Sequence, residues 1–440
     1  MQPLPSPYPR TVRASYREAL RGLYALQARG VKLDLERMHE ALALLDSPEL
    51  ATPFVHVAGT NGKGSVSVML AETLQAAGYR TGLYTSPHLH RFVERIRVNG
   101  RAITQREVAG RHQALSRALA QPGAPRLTFF ELTTLMAFQH FRDRRCDIAI
   151  LEVGLGGRLD ATNAAPSVLS VITHIGHDHG RILGTDLASI AREKAGILKC
   201  AVPAIVGVRE PSALSVIAGR ARELGVPTLC AGRDFEPRPW QASGSFDLAL
   251  GEQRLQGLRC GLEGTHQVHN ASCAVVAALQ LERIGFPVAE AAIRQGLERT
   301  RWPGRNEWLP GKPACLLDAA HNLDGCRALA SFVTAHRNGR KVALLFGTMA
   351  DKDYAGMLHS LRPHVDSVVY AAPPLPRAAP PETLHQVVPG TCCPDPRAGL
   401  ERAQGDAGER GLLVVAGSIF MVAVARELLL GVRSDPPLRM

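Results

Sequence analysis

The sequence predicts an α/β protein with two domains, a larger P-loop-containing unit with a mostly parallel sheet and a smaller α/β unit. Three observations carry this. The chain has 440 residues, more than a single hydrophobic core ordinarily fills. Apolar, β-rich runs alternate with longer helical patterns in two separate series, the pattern of mostly parallel sheets. Between the series lies the stretch 301–305, RWPGR, whose Pro and Gly suit a hinge. The domains are therefore placed at residues 1–300 and 301–440.

In the first series, residues 54–59 read as a buried strand. A helix follows over 64–77, with Gly78 as its stop. Further strands are expected at 81–85, 148–153 and 168–175, with weaker candidates at 202–206 and 227–230. The second series begins with a short strand at 315–318 and a helix over about 324–336. A strand at 342–346, a helix at 354–361 and a strand at 367–370 come next. A strand at 412–416 leads into a helix from about 419. The Pro-rich stretches 371–381 and 436–439 read as loop and tail.

Composition narrows the function classes. The formal charge is +11, which favours anionic partners in general. The basic residues are dispersed, however, with no zinc-finger spacing, RNP-like motif or long Lys/Arg run, so nucleic acid is not the expected partner. Acidic small molecules suit the charge equally well. The nine cysteines are odd in number, widely spaced and without a C-x-x-C pair, as in a protein with reduced thiols. Prolines stand near the N-terminus where a signal peptide needs an apolar run, and no stretch approaches 18 apolar residues. A cytoplasmic protein without membrane contact is expected.

The chemistry-bearing motifs sit after strands, where open α/β sheets bind ligands. FVHVAGTNGKGSVSVML is strand, Gly-rich loop and helix. Its loop, Thr60, Asn61, Gly62, Lys63, Gly64 and Ser65, can close backbone N–H groups around a phosphate. Lys63 can reach terminal phosphates and Ser65 can ligate magnesium. The spacing is a variant of the standard one, since Val57 stands at the first glycine position and Gly64 separates Lys63 from Ser65. Ser86, Glu152 and His179 each follow an expected strand and can converge on this loop; Ser86 and Glu152 suit magnesium, which prefers oxygen. Each also has a plainer reading, as a turn residue, a cap or a solvated loop histidine. Lys194 reads equally well as a surface lysine paired with Glu193 or Asp186.

GTNGKGS resembles the nucleotide loop of the Mur-ligase superfamily, especially of folylpolyglutamate synthases and dihydrofolate synthases. YTSPHLHRFVERIRVNG, LEVGLGGRLDATN, ITHIGHDHGRILG and IAREKAGILK extend the resemblance. It implies a Mur-ligase-like ATPase domain and a Rossmann-like glutamate ligase domain. It implies that Ser86, Glu152 and His179 bind one magnesium, that Ser65 serves the ATP-side magnesium, and that Lys194 is carbamylated and helps hold the second metal. Lys63, Lys194, His179 and His321 are the implied catalytic residues.

On the pteridine side, the resemblance implies contacts from Lys32, Leu33 and Asp34, from Thr128, Phe129 and Phe130, and from Leu159, Asp160 and Ala161. Phe129 and Phe130 are equally readable as core. In the second domain it implies Asn270 near adenine, Arg305 on the phosphates, Asp318 facing the nucleotide and His321 in the cleft. Ala319 and Leu323 replace the family's usual Gly and Pro. The implied activity is addition of L-glutamate to dihydropteroate and to tetrahydrofolate, using ATP and two magnesium ions, by a monomer. A monofunctional folylpolyglutamate synthase, a Mur-type amino acid ligase and a silent nucleotide- or RNA-binding module are the alternatives. The intact Lys63, Ser65, Glu152, His179 and Lys194 argue against the last.

Overall fold

A computed structural model of the chain describes residues 10–30, 34–240 and 245–436. The first sheet has eight strands: β1 (Phe54–Ala58), β2 (Thr81–Tyr84), β3 (Ile96–Val98), β4 (Arg101–Ala102), β5 (Ile148–Glu152), β6 (Ser167–Ile172), β7 (Ala204–Val206) and β8 (Thr228–Cys230). They lie in the order β4-β3-β2-β5-β1-β6-β7-β8. All pairs are parallel except those of β3, which is antiparallel to β2 and β4. Every residue of β1 and β5 is buried, which is why neither shows the apolar–polar alternation of a half-exposed strand.

The helix Lys63–Ala76 packs between this sheet and the helices Thr265–Arg283 and Glu290–Arg299. Nine of its residues are buried, so it shows no single apolar stripe. Gly296 lets the neighbouring helix approach closely, because a Cβ there would lie 2.4 Å from the Cα of Thr73. On the opposite face, Phe54 packs against Phe138 and Phe141 of the helix Phe129–Asp143.

A second, antiparallel sheet is formed by β9 (Phe235–Trp240), β10 (Ser245–Leu250) and β11 (Gln253–Arg259), in the order β11-β10-β9. Sequence reading gives no sign of it. Pro237 and Pro239 argue against a strand, but they are tolerated here because β9 is an edge.

The third sheet comprises β12 (Glu307–Leu309), β13 (Ala314–Leu317), β14 (Val342–Phe346), β15 (Ser367–Tyr370), β16 (Thr391–Cys392) and β17 (Leu412–Ala416). Its order is β12-β13-β17-β14-β15-β16, parallel apart from β12. The expected strands at 342–346, 367–370 and 412–416 and the helix at 354–361 have the predicted bounds. Leu323 is the first residue of the helix Leu323–His336, with Asn322 as its cap. Proline is favoured at that position but not required, so leucine takes it without disturbing the loop.

After the helix Ile419–Leu430, the chain returns to the first domain. Asp435 accepts hydrogen bonds from the Tyr16 hydroxyl at 2.5 Å and the Phe92 N–H at 2.8 Å. Its own N–H donates to the His90 carbonyl at 2.8 Å. Arg426 pairs with Glu307 and lies 2.6 Å from His90 Nε2. No helix among the described residues is long and apolar enough to cross a membrane. All nine cysteines are free, as their spacing led us to expect.

Candidate functional site

Strand register assembles the site. Val57 pairs with Glu152 and Ala58 with Ile172, so the loop after β1 emerges between the ends of β5 and β6. Tyr84 pairs with Leu151, which brings Ser86 to the end of β5. The Ser86 N–H donates to Glu152 Oε2 at 3.0 Å. The loop is pinned from β6 by Thr60, whose N–H donates to the His174 carbonyl at 2.7 Å and whose hydroxyl donates to the Gly176 carbonyl at 3.0 Å.

Gly62 precedes the helix Lys63–Ala76 with a φ of 85°, and no side chain caps that helix. Its first N–H groups are therefore free to meet an anion along the helix dipole. A Cβ on Gly62 would lie 2.3 Å from Asn270 Oδ1, so glycine is demanded twice over. That contact also brings Asn270, on the helix Thr265–Arg283, against the phosphate loop. Ser65 is buried one turn into the Lys63–Ala76 helix.

Lys63 Nζ donates to the Gly59 carbonyl at 3.0 Å, and Lys194 Nζ donates to the same oxygen at 2.9 Å. Lys194 is buried, which corrects the plainer reading of it as a surface lysine; Glu193 pairs with Arg158 instead. Burial, reinforced by the charge of Lys63, lowers the Lys194 amine to about 7. Burial also lowers Lys63, with Glu152 and Asp178 opposing it. Burial pushes the Glu152 carboxyl up, while Lys63 and the Ser86 N–H hold it down.

Asp178 was missed by sequence reading as a site residue, although it lies within HDH. Its carboxylate meets Lys352 Nζ at 2.5 Å and His321 Nε2 at 3.3 Å, both from the second domain. Burial pushes this carboxyl up, but His321, then His179 and Lys352, outweigh it and hold it far below the usual range. His179 Nε2 faces the same carboxylate at 3.8 Å; its side chain is 43% exposed, so the desolvation that lowers this imidazole is only partial and the Asp178 charge opposes it. Beside this cluster, Asn61 and Asn322 exchange amide hydrogen bonds of 3.1 and 2.9 Å across the domains.

Two further residues expected at the site, Arg305 and Asp318, lie after the 301–305 stretch or at its end. The charge of Arg305 is felt at Lys63 and Glu152. Asp318 accepts from the N–H groups of Asn306 at 2.8 Å and Ala320 at 2.9 Å, which fixes the linker to the end of β13. Ala319 stands in for glycine without strain, since its φ is not positive and its N–H donates to the Gly304 carbonyl at 2.8 Å.

The expected pteridine contacts divide. Lys32 and Leu33 lie outside the described residues, and Asp34 pairs with Arg37 at 2.7 Å. Thr128 caps the helix Phe129–Asp143 in a capping box with Glu131. Phe129 and Phe130 are half-buried, the first against Tyr24 and Phe92, the second against Tyr84. Both pack on the core while keeping part of their rings exposed. Asp160 accepts from Thr162 through one oxygen and from the Leu155 N–H at 2.9 Å through the other, so it shapes the loop that carries half-buried Leu159 and buried Ala161.

The donor set fits a nucleoside triphosphate with a hard cation. Glycine-loop N–H groups, Lys63 and Arg305 are of the kind that could offset phosphate charge. Among the described residues no group of three His, Cys, Asp or Glu side chains is placed to hold a metal ion, so a metal would rely on Glu152, hydroxyls, phosphate and water, as magnesium does.

Comparison with known proteins points the same way. Residues 57–278 match the Mur ligase middle domain, and residues 304–419 match the Mur ligase glutamate ligase domain. A dihydrofolate synthase/folylpolyglutamate synthase of Bacillus subtilis is 34% identical over 429 residues, covering 94% of this chain and 99% of its own. The structure of Escherichia coli FolC in complex with DHPP and ADP superimposes with a TM-score of 0.87 at 34% identity, covering 94% of this chain and 98% of that one. A bifunctional folylpolyglutamate synthase/dihydrofolate synthase of Yersinia pestis, complexed with AMPPNP and Mn ion, gives 0.85 at 34% identity, with the same coverage of 94% and 98%.

Proposed function

Since the chain belongs to the Mur ligase family, in its dihydrofolate synthase/folylpolyglutamate synthase branch, we propose that the cleft between its first and third sheets is the site of glutamate ligation. The protein is an ATP-dependent ligase that adds L-glutamate to dihydropteroate and to tetrahydrofolate. A substrate carboxylate attacks the γ-phosphorus of ATP, giving an acyl phosphate and ADP. The glutamate amine then attacks the acyl carbon and phosphate leaves. ATP binds with a divalent metal, and magnesium is the ion we assign.

The observation that carries this assignment is the uncapped helix start at Gly62–Lys63, beside buried Glu152 and facing the second domain. Residues 1–300 would hold ATP and the pteridine acid, and residues 301–440 would close over them. Thr60, Asn61, Gly62, Gly64 and Ser65 would cradle the phosphates, with Asn270 on adenine and with Arg305 and Asp318 from the second domain. Lys63 and Arg305 would stabilise charge on the transferring phosphoryl group, where positioning and electrostatics supply most of the rate. Ser65, Ser86, Glu152, His179 and Lys194 would hold metal, which when bound polarises the phosphoryl oxygens. A Lys194 amine near 7 is substantially neutral at physiological pH, so its lone pair is available to attack CO₂, forming a carbamate and releasing a proton. Asp178 would orient His321 in the cleft. The pteridine would lie against Phe129 and Phe130, near Asp34, Thr128, Leu159 and Ala161, with Asp160 shaping the loop. A cytoplasmic monomer that binds neither nucleic acid nor membrane completes the proposal.

The test is phosphate release from ATP with magnesium and L-glutamate. Dihydropteroate and tetrahydrofolate should each support it, and a UDP-muramoyl peptide precursor should not. Release with one pteridine alone would reduce the enzyme to a single activity, and release with the UDP precursor alone would overturn the assignment.

A further inference from the structure

We propose that Arg95 receives the carboxylate of the pteridine acid, at the border between the aromatic pocket and Glu152. The proposal rests on the ligase reading above. Arg95 ends the short helical turn Phe92–Arg95 and is only 2% exposed. An arginine so deeply buried is ordinarily paired with a carboxylate. Among the described residues, none pairs with it.

What surrounds Arg95 leaves its outer edge unused. Nε donates to His88 Nδ1 at 2.8 Å, and burial keeps that imidazole neutral and able to accept. The guanidinium carbon lies 5.2 Å from the Phe129 ring centroid. The nearest acid in sequence, Glu94, is committed to the N–H groups of Leu89, His90 and Arg91 at 2.9, 3.1 and 2.8 Å. Nη1 and Nη2 have no hydrogen-bond partner among the described residues. A planar fork of N–H donors is thus held on an aromatic ring with its bidentate edge free.

The backbone places Arg95 beside the reacting end of the site, and its charge is felt at Glu152. The Arg95 carbonyl accepts from the Thr85 N–H at 2.9 Å, and the next residue, Ser86, donates to Glu152 at 3.0 Å. Tyr84 and Phe130, with centroids 5.9 Å apart, continue the aromatic wall. An aryl carboxylate laid along Phe129 and Phe130 would meet the fork bidentately, in a setting where such pairs are strong. Its arrival would pair the buried charge, which is where the gain in affinity comes from.

Binding of dihydropteroate and of its carboxamide, measured by calorimetry with ADP and magnesium present, tests this. The wild-type protein should prefer the acid, and Arg95→Gln should weaken acid binding by roughly 10- to 100-fold while leaving the carboxamide within about twofold. Arg95→Lys, which keeps the charge but not the fork, should fall between, and it stands in if Arg95→Gln does not fold. Equal loss of acid and carboxamide would make Arg95 merely structural and overturn the proposal, as would unchanged acid binding in either variant. If the wild-type protein bound neither compound, the ligase reading itself would fall.

Discussion

His56 shows how one buried residue joins two motifs. It lies in the middle of β1, 1% exposed, with Nε2 2.8 Å from Thr162 Oγ1. The Thr162 hydroxyl proton goes to Asp160, so Thr162 must accept from His56 and the imidazole carries its proton on Nε2. Burial, then the charge of Lys199, lowers its pKa to about 3. An unfolded histidine titrates near 6.5, so between roughly pH 6.5 and 3 the unfolded chain binds more protons and stability falls as pH falls. The loss attributable to this group should reach on the order of 4 kcal/mol by pH 3. Urea titrations across that range should show a shallower acid limb for His56→Gln than for wild type; identical limbs would refute the assignment. At this scale, Lys63, Ser65 and Glu152 were legible because each belongs to a short motif after a strand. Asp178 was not, because its partner Lys352 lies 174 residues away.

The phosphate-loop helix illustrates what an element contributes beyond its residues. Its start has no side-chain cap, so a bound anion could supply one. Gly62→Ala would force a Cβ into Asn270 at a positive φ. ADP affinity, measured by calorimetry, should fall at least about tenfold, and the melting temperature should drop, since strain of this kind costs about 1–3 kcal/mol. Helix Phe129–Asp143 is the opposite case, with its own capping box. Thr128→Ala should cost about 1 kcal/mol in urea unfolding. It should leave ATP binding intact, since Thr128 is placed on the pteridine side and away from the phosphate loop. Parallel strands were readable as apolar runs flanked by helices. The antiparallel β9–β11 sheet was not, because its prolines and exposed polar positions mimic a loop.

At the scale of the molecule, the two large sheets communicate through few polar contacts, and Asp178 anchors the most buried of them. Lys352 and Asp178 are 13% and 8% exposed. Removing one partner strands the other, so Asp178→Ala should destabilise the closed pair of domains by about 3 kcal/mol. The expected signs are a lower melting temperature and faster proteolysis within 301–305. Lys352→Ala should do the same, and the double variant should be less than additive in a double-mutant cycle. The RWPGR stretch is where the sequence places a hinge, but the docking of the chain on either side of it depends on side chains far apart in sequence.

The returning tail adds a mechanical consequence. The second domain leaves the first through the covalent link at 301–305 and grips it again through Arg426 and Asp435 on the loop around His90. Two bodies fastened at two points can turn freely only about the line that joins them. Were the two parts to close as proposed, the movement would be a swing about a single axis, like a door on two pins, and motion across that axis would first have to unfasten Asp435.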